Sequence, residues 1–258
     1  MEEKQTETIN SRTLLKRNSG IYELYIKRLI DIIGSVCILV FFGWIYVIVA
    51  VLVRVKLGSP VLFKQARPGK VDAESGQERI FFMYKFRSMS DERDDKGKLL
   101  PDNVRLGRFG KILRATSLDE LPEVFNILKG EMTFIGPRPQ LVLDMVFMSD
   151  EQRMRHTAKP GLSGLAQVNG RNNICWEEKL KWDLKYIEKV SFLEDLKILF
   201  QTIIKAFIKQ EGITAANMAT SYDYGDWLLK ENKISMGEYE KKEEEARQIL
   251  LQWQNTHK

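Results

Sequence analysis

At 258 residues the chain has room for one ordinary domain plus appendages, and its net charge of +5 points to an acidic partner: nucleic acid, anionic lipid or a phosphorylated substrate. Its two cysteines, Cys37 and Cys175, lack a CxxC neighbour and make no disulfide framework, so free thiols in a reducing compartment are expected. With only His156 and His257 present, a histidine metal site or a Ser–His triad is poorly supported, and carboxylates, arginine and lysine are favoured by elimination.

Residues 1–20 are polar and unpatterned, the mark of a mobile tail. A membrane-associated segment follows at 21–56, with an uncharged apolar run from Ile32 to Val53. At ~1.5 Å per residue that run would just cross a hydrocarbon core of about 30 Å. Basic residues mark both ends, Lys27 and Arg28 before it and Arg54 and Lys56 after it. Placing both ends on the cytoplasmic side requires the helix to dip in and return, with a break expected at Gly43 and Trp44.

A catalytic domain is expected over 57–211. It opens with two strands, Val61–Gln65 and Arg79–Met89, around a polar turn at 74–77. Tyr84-Lys-Phe-Arg87 alternates ring and cation, which puts Lys85 and Arg87 on one face of a strand, as an anion site or as the charged guard of a solvated edge. Residues 91–98 read as a solvated loop.

The stretch from Arg114 to Pro139 organises the rest. Asp119 and Glu120 stand before a short helix that Pro122 opens and Gly130 closes, with Leu121, Val124, Phe125 and Leu128 at helical spacing. At the positive end of that helix the dipole is expected to keep Asp119 ionised, as a nucleophile. The same residues from Ser117 to Glu120 also fit a plain capping box. After the helix, Gly136-Pro-Arg-Pro139 holds Arg138 between two prolines, a rigid mount suited to gripping a phosphate, though an ordinary proline turn has the same composition.

Beyond it, the glycine-rich segment from Lys159 to Arg171 permits sharp turns and offers Arg171 to an anion, without P-loop spacing. Glu177–Glu188 reads as a helix. Leu193–Ile208 is amphipathic and basic, suited to a core or to an anionic membrane surface, with the core preferred. Residues 212–258 form an extension: a polar loop to 226, then two short helices hinged at 233–238. This tail weakly resembles the C-terminal hairpin domains appended to many bacterial proteins, which implies self-association, here a homo-oligomer, or contact with a partner.

Six motifs in one order give residues from about 25 to 215 a specific likeness. They are Lys27-Arg-Leu-Ile-Asp31, Tyr84-Lys-Phe-Arg-Ser-Met89, Ser117-Leu-Asp-Glu-Leu-Pro122, Met132-Thr-Phe-Ile-Gly-Pro-Arg-Pro139, the segment Pro160–Arg171, and Asp195-Leu-Lys-Ile198. Together they resemble the monotopic phosphoglycosyl transferases, bacterial sugar transferases, in their minimal short form.

The resemblance implies an α+β fold: a membrane-inserted re-entrant helical hairpin joined to a small, mostly helical cytoplasmic catalytic domain with a short β-element, at the inner membrane. It implies that Asp119 attacks the sugar-bearing phosphate of a UDP-sugar, releasing UMP. Polyprenyl (undecaprenyl) phosphate then takes the phosphosugar from the aspartyl intermediate, initiating assembly of a capsule, O-antigen, exopolysaccharide or glycoprotein glycan. Mg²⁺ on Asp119 and Glu120 would offset developing charge, and Arg138, Arg114, Lys85, Arg87 and Arg171 would be candidates for the phosphates. One departure stands out: relatives usually carry Ser-Pro where this chain has Gly43-Trp44, and glycine weakens a helix by only ~1 kcal/mol against ~3 for proline. A catalytically silent, basic, membrane-bound scaffold would explain the charge and the apolar run but not the carboxylate pair and arginine at fixed separation. Nucleic-acid binding is not expected, because the aromatics form no stacking array.

Overall fold

A computed structural model of the chain describes residues 17–170, 174–205 and 222–256. A π-helical turn, Tyr22–Ile26, leads into the long apolar helix α1 (Lys27–Leu57). An antiparallel hairpin follows, β1 (Leu62–Val71) with β2 (Glu78–Phe86), in a register that sets Phe63 opposite Lys85. Then come α2 (Asp102–Arg105), α3 (Arg108–Ala115), a 3-10 turn at Leu118–Glu120, and α4 (Glu123–Lys129). The strand β3 (Thr133–Ile135) pairs in parallel with β4 (Gly161–Ser163), and α5 (Val142–Phe147) and α6 (Asp150–Arg153) lie between them in the chain. The helices α7 (Leu165–Val168), α8 (Trp176–Glu188), α9 (Phe192–Ile203), α10 (Tyr224–Lys230) and α11 (Met236–Thr256) complete the α+β fold.

The expected break at Gly43-Trp44 is not formed, since α1 is assigned as one unbroken α-helix. The physical reason lies in the residues: glycine keeps its N–H, so helical hydrogen bonding continues where proline would have removed a donor and clashed. Both ends of α1 nevertheless rest on the same domain. At the start, Lys27 forms a buried ion pair with Asp195 of α9. Arg28 caps the C-terminal carbonyls of α4, donating to Ile127 O at 2.6 Å and Leu128 O at 2.7 Å. Asp31 accepts from Thr133 Oγ1 (2.9 Å) and Phe134 N (3.1 Å), fixing β3. Toward the other end, Val49 and Val53 are buried against Phe86 and Leu113, and Tyr46 donates to Leu121 O at 2.8 Å. Between these anchors the outer face of α1 is bare and apolar, with Val40, Phe41 and Trp44 all more than 60% exposed.

Three expectations for the second half of the chain change. The helix α9 meets the core as preferred, through Ile198, but buries only Asp195 and Ile198; its other side, with Leu193, Phe200 and Ile203, is apolar and exposed. The last helix is not short but 21 residues long, and it docks onto α5 and the β1–β2 hairpin, with Ala246 against Val142 and Val146, and Trp253 4.6 Å from the ring of Phe82. Within the segment expected to be a glycine-rich loop, Gly161–Ser163 forms the strand β4, paired with β3 just ahead of the Gly136–Pro139 turn.

Candidate active site

The hairpin and α4 are tied together by one amide. Asn126 accepts from Tyr84 N at 3.0 Å and donates to Phe82 O at 2.7 Å, borrowing the edge of β2. That lock brings Lys85 over the approach to α4. Its ammonium lies 2.7 Å from Glu120 Oε1 and 3.2 Å from Glu123 Oε1. Arg138 reaches the same Glu120 oxygen at 2.6 Å. Lys85, Glu120 and Arg138, from three separate motifs, therefore meet at one atom, with Asp119 next to it in the chain.

Arg138 is mounted by backbone contacts made on glycine. Gly136 N donates to Ser163 O at 2.8 Å and Gly161 N to Pro137 O at 2.9 Å. A Cβ on Gly161 would stand 2.1 Å from Gly136 N, so the two strands approach this closely only without side chains. From behind, Arg155 donates to Arg138 O at 2.6 Å and is itself held by Asp183. The glycine-rich segment thus supports the arginine turn; Arg171, at its end, lies outside the described residues.

Ser117, at φ 54°, adopts the left-handed conformation, which costs a non-glycine residue about 1 kcal/mol and turns the chain from α3 into the 3-10 turn. It forms no side-chain cap, and Glu120 faces Lys85 and Arg138, so the capping box is not formed. The expected dipole effect on Asp119 does not hold either. Regular helix begins only at Glu123, and burial, followed by the charge of Glu120, pushes the Asp119 carboxyl up to about 6 against the pull of Lys85, Arg114 and Arg138. Asp119 is still largely ionised at pH 7, and among the described residues its carboxylate makes no hydrogen bond or ion pair. Glu120 is held below the carboxylate range: burial opposes this, but the charges of Arg138 and then Lys85 outweigh it.

Of the other predicted residues, Arg114 is near enough to act on Asp119 and donates from Nε to Ser88 Oγ at 3.0 Å. Arg87 is a correction. Its guanidinium donates to the carbonyls of Leu57, Ser59 (2.8 Å) and Met89 (3.1 Å), so it clamps the exit of α1. Strand alternation put Arg87 on the face of Lys85, but the strand ends at Phe86.

Three residues were missed. Glu123 is buried, and burial together with the charge of Glu120 raises it to about 7; its Oε1 has no hydrogen bond of good geometry. Arg67 donates to Pro139 O at 3.3 Å and leaves a buried Nε without an acceptor; burial and the charge of Arg138 lower it to about 10. Asn126 is the third. The Pro122-Glu123 junction gave the only hint of Glu123, as an acid in a first turn.

The arrangement offers one carboxylate without a direct partner among the described residues, beside several cations, which suits attack on a phosphorus with the negative charge of the phosphates balanced alongside. Comparison with known proteins gives the family. Residues 22–209 match the family described as bacterial sugar transferase. The chain belongs to that family. This bacterial sugar transferase is 44% identical over 198 residues to the uncharacterised sugar transferase EpsL of Bacillus subtilis, covering 77% of this chain and 95% of that one. It is 39% identical over 194 residues to a UDP-glucose:undecaprenyl-phosphate glucose-1-phosphate transferase of Klebsiella pneumoniae, covering 71% of this chain and 40% of that one. A UDP-N-acetylgalactosamine-undecaprenyl-phosphate N-acetylgalactosaminephosphotransferase of Aeromonas hydrophila is 36% identical over 196 residues, 72% of this chain and 44% of the relative. The chain thus spans nearly all of the Bacillus protein and less than half of the other two.

Proposed function

We propose that this sugar transferase moves a phosphosugar from a UDP-sugar to polyprenyl phosphate in two displacements. A carboxylate oxygen of Asp119 bonds to the phosphorus next to the sugar while the bond to the UMP oxygen breaks. A phosphate oxygen of the acceptor then bonds to that phosphorus and the bond to Asp119 breaks, freeing the carboxylate and giving polyprenyl-diphosphate sugar. The unpartnered, largely ionised carboxylate of Asp119 beside the Lys85–Glu120–Arg138 junction carries this reading. Lys85, Arg114 and Arg138 hold the phosphates in line, and Arg67 adds charge behind Arg138.

Among the described residues no three His, Cys, Asp or Glu side chains group as a metal cluster. Mg²⁺ commonly takes one or two carboxylates and completes its shell with phosphate and water, and the free oxygens of Asp119 and Glu120 fit that role. When bound there it would offset the charge that builds on the departing UMP oxygen.

The reading is tested by incubating the purified chain with Mg²⁺, polyprenyl phosphate and a panel of UDP-sugars. UMP release with one or more donors is expected; its absence with all of them would favour the silent scaffold. The pH profile follows from Asp119: ionisation is lost as pH falls through about 6, so kcat/KM should drop tenfold per unit below that. A flat profile from pH 7 to 5 would remove Asp119 from the rate. Arg138→Lys keeps a charge but loses the planar donor set, and a fall of roughly 10–100-fold in kcat/KM is expected without loss of fold. Unchanged kinetics would make Arg138 a turn residue only.

The membrane helix bears on location. A domain that holds α1 by Lys27 and Asp31 near its start and by Tyr46 and Val53 near its end cannot have those ends on opposite faces of a bilayer without itself entering the hydrocarbon. This supports both ends lying on one face, which the proposal takes to be the cytoplasmic face where a UDP-sugar is met, with the bare apolar side of α1 in the lipid. With Cys37 and Cys175 removed, Gln5→Cys and Ser59→Cys should both resist an impermeant thiol reagent in intact cells and label once the membrane is opened. Labelling of Gln5→Cys alone in intact cells would mean a spanning helix.

A further inference from the structure

Two hollows share a wall formed by Lys27, Asp31, Thr133 and Ile135. One is an apolar groove of about 320 Å³ between α1 and α9, lined by Ile30, Gly34, Ile38, Phe134, Leu196 and Leu199. Its volume lies within the ~300–1,000 Å³ of small-molecule pockets, and it runs along the bare apolar face of α1. The other is a smaller, polar hollow of about 30 Å³, rimmed by Arg28, Lys70 and Lys159.

The cations at this rim outnumber their partners. Lys27 is already committed to Asp195, and Glu23 to Arg17. Asp31 is the remaining acid of the hollow, and its Oδ1 is occupied by Thr133 and Phe134. Among the described residues neither Lys70 nor Lys159 makes an ion pair or a side-chain hydrogen bond. Lys159 is half-buried, and burial, then the charge of Arg28, lowers its pKa. Two unmatched ammonium groups and a guanidinium, at the end of an oily groove that opens on the membrane helix, are complementary to an amphiphile with an anionic head.

We propose that this junction binds one anionic phospholipid, with the phosphate at the rim near Arg28, Lys70 and Lys159 and an acyl chain in the groove between α1 and α9. This goes beyond the sugar-transfer reading. It is also separate in space from it: Arg28 sits on the C-terminal carbonyls of α4, whereas Asp119 and Glu120 precede its N-terminus, and seven helical residues at ~1.5 Å each put about 10 Å between the two ends. A phosphate held at this rim does not reach Asp119. The headgroup lies at the rim of the polar hollow, open to the membrane surface.

The test is lipid retention by the delipidated full chain, read by native mass spectrometry without any sugar donor, so that its outcome is independent of the transfer chemistry. One phosphatidylglycerol should be retained several-fold more strongly than phosphatidylcholine. Lys70→Ala with Lys159→Ala should erase that preference, and Lys70→Arg with Lys159→Arg should keep it, which separates lost charge from lost fold. Leu196→Trp, which fills the groove, should weaken both lipids alike. Equal retention of the two lipids by the unmodified chain, or an unchanged preference in the double alanine variant, overturns the proposal. So does one-for-one displacement of phosphatidylglycerol by polyprenyl phosphate, which would make this the acceptor's seat. Displacement by an equal concentration of inorganic phosphate would reduce it to a free-anion site and overturn it too.

Discussion

Asp119→Asn is expected to abolish transfer, by ~10³-fold or more, while leaving the protein at least as stable as before. The two halves of that expectation have one cause. The carboxylate is 7% exposed, and burial and Glu120 raise it from 3.8 to about 6, so at pH 7 the fold holds an ion it disfavours by roughly 2–3 kcal/mol. For an acid with a raised folded pKa, this destabilisation is present above about pH 6 and disappears as pH falls towards 4. The amide keeps the shape and drops the charge, so the melting temperature should hold or rise. A capping role predicts the opposite pair, a loss of about 1 kcal/mol with activity retained in the surviving protein. Melting and UMP release measured on one preparation separate the two.

Asp183→Asn should give the largest loss of stability. Arg155 is 1% exposed and donates to Asp183 Oδ2 from Nε at 2.9 Å and from Nη2 at 2.7 Å. Removing one partner of a buried pair strands the other charge and typically costs about 3–5 kcal/mol, here roughly 6–20 °C of melting temperature. The same Nη2 also supports the carbonyl of Arg138, so transfer by the folded fraction should fall as well. Replacing both partners, with Arg155→Met and Asp183→Leu, should return much of the stability, because no charge is left unpaired, but not the support of Arg138. Equal melting of Asp183→Asn and the unmodified chain would show that the pair is not needed to hold the turn.

Much of the site could be read in the sequence because its parts announce themselves locally. Pro122 and Gly130 bracket α4, and Gly130 does take the left-handed cap at φ 88°. The alternation around Tyr84–Arg87 gave the hairpin and Lys85. What could not be read depends on contacts distant in the chain. Lys27 and Asp195 are 168 positions apart, and only the fold shows that the first and last shared motifs are one ion pair. The glycines at 136, 161 and 164 resemble a flexible loop in composition, but they serve a backbone-to-backbone contact that no local pattern reveals. The upward shift of the Asp119 pKa could not be read for a related reason: the dipole is a local property, whereas burial is set by the whole domain. Residues 212–258 read as an appendage because their polar loop resembles a linker, although Ala246, Ile249 and Leu250 of α11 close over α5.

The central claim is that Asp119 itself carries the phosphosugar between donor and acceptor. It is tested most directly by mixing the enzyme with a turnover-competent UDP-sugar in the absence of polyprenyl phosphate, quenching, and measuring UMP and the mass of the peptide that contains Asp119. The account predicts a burst of about one UMP per enzyme and a matching phosphosugar adduct on Asp119, removed when polyprenyl phosphate is added. No UMP until the acceptor is present, or an adduct on any other residue, would contradict it.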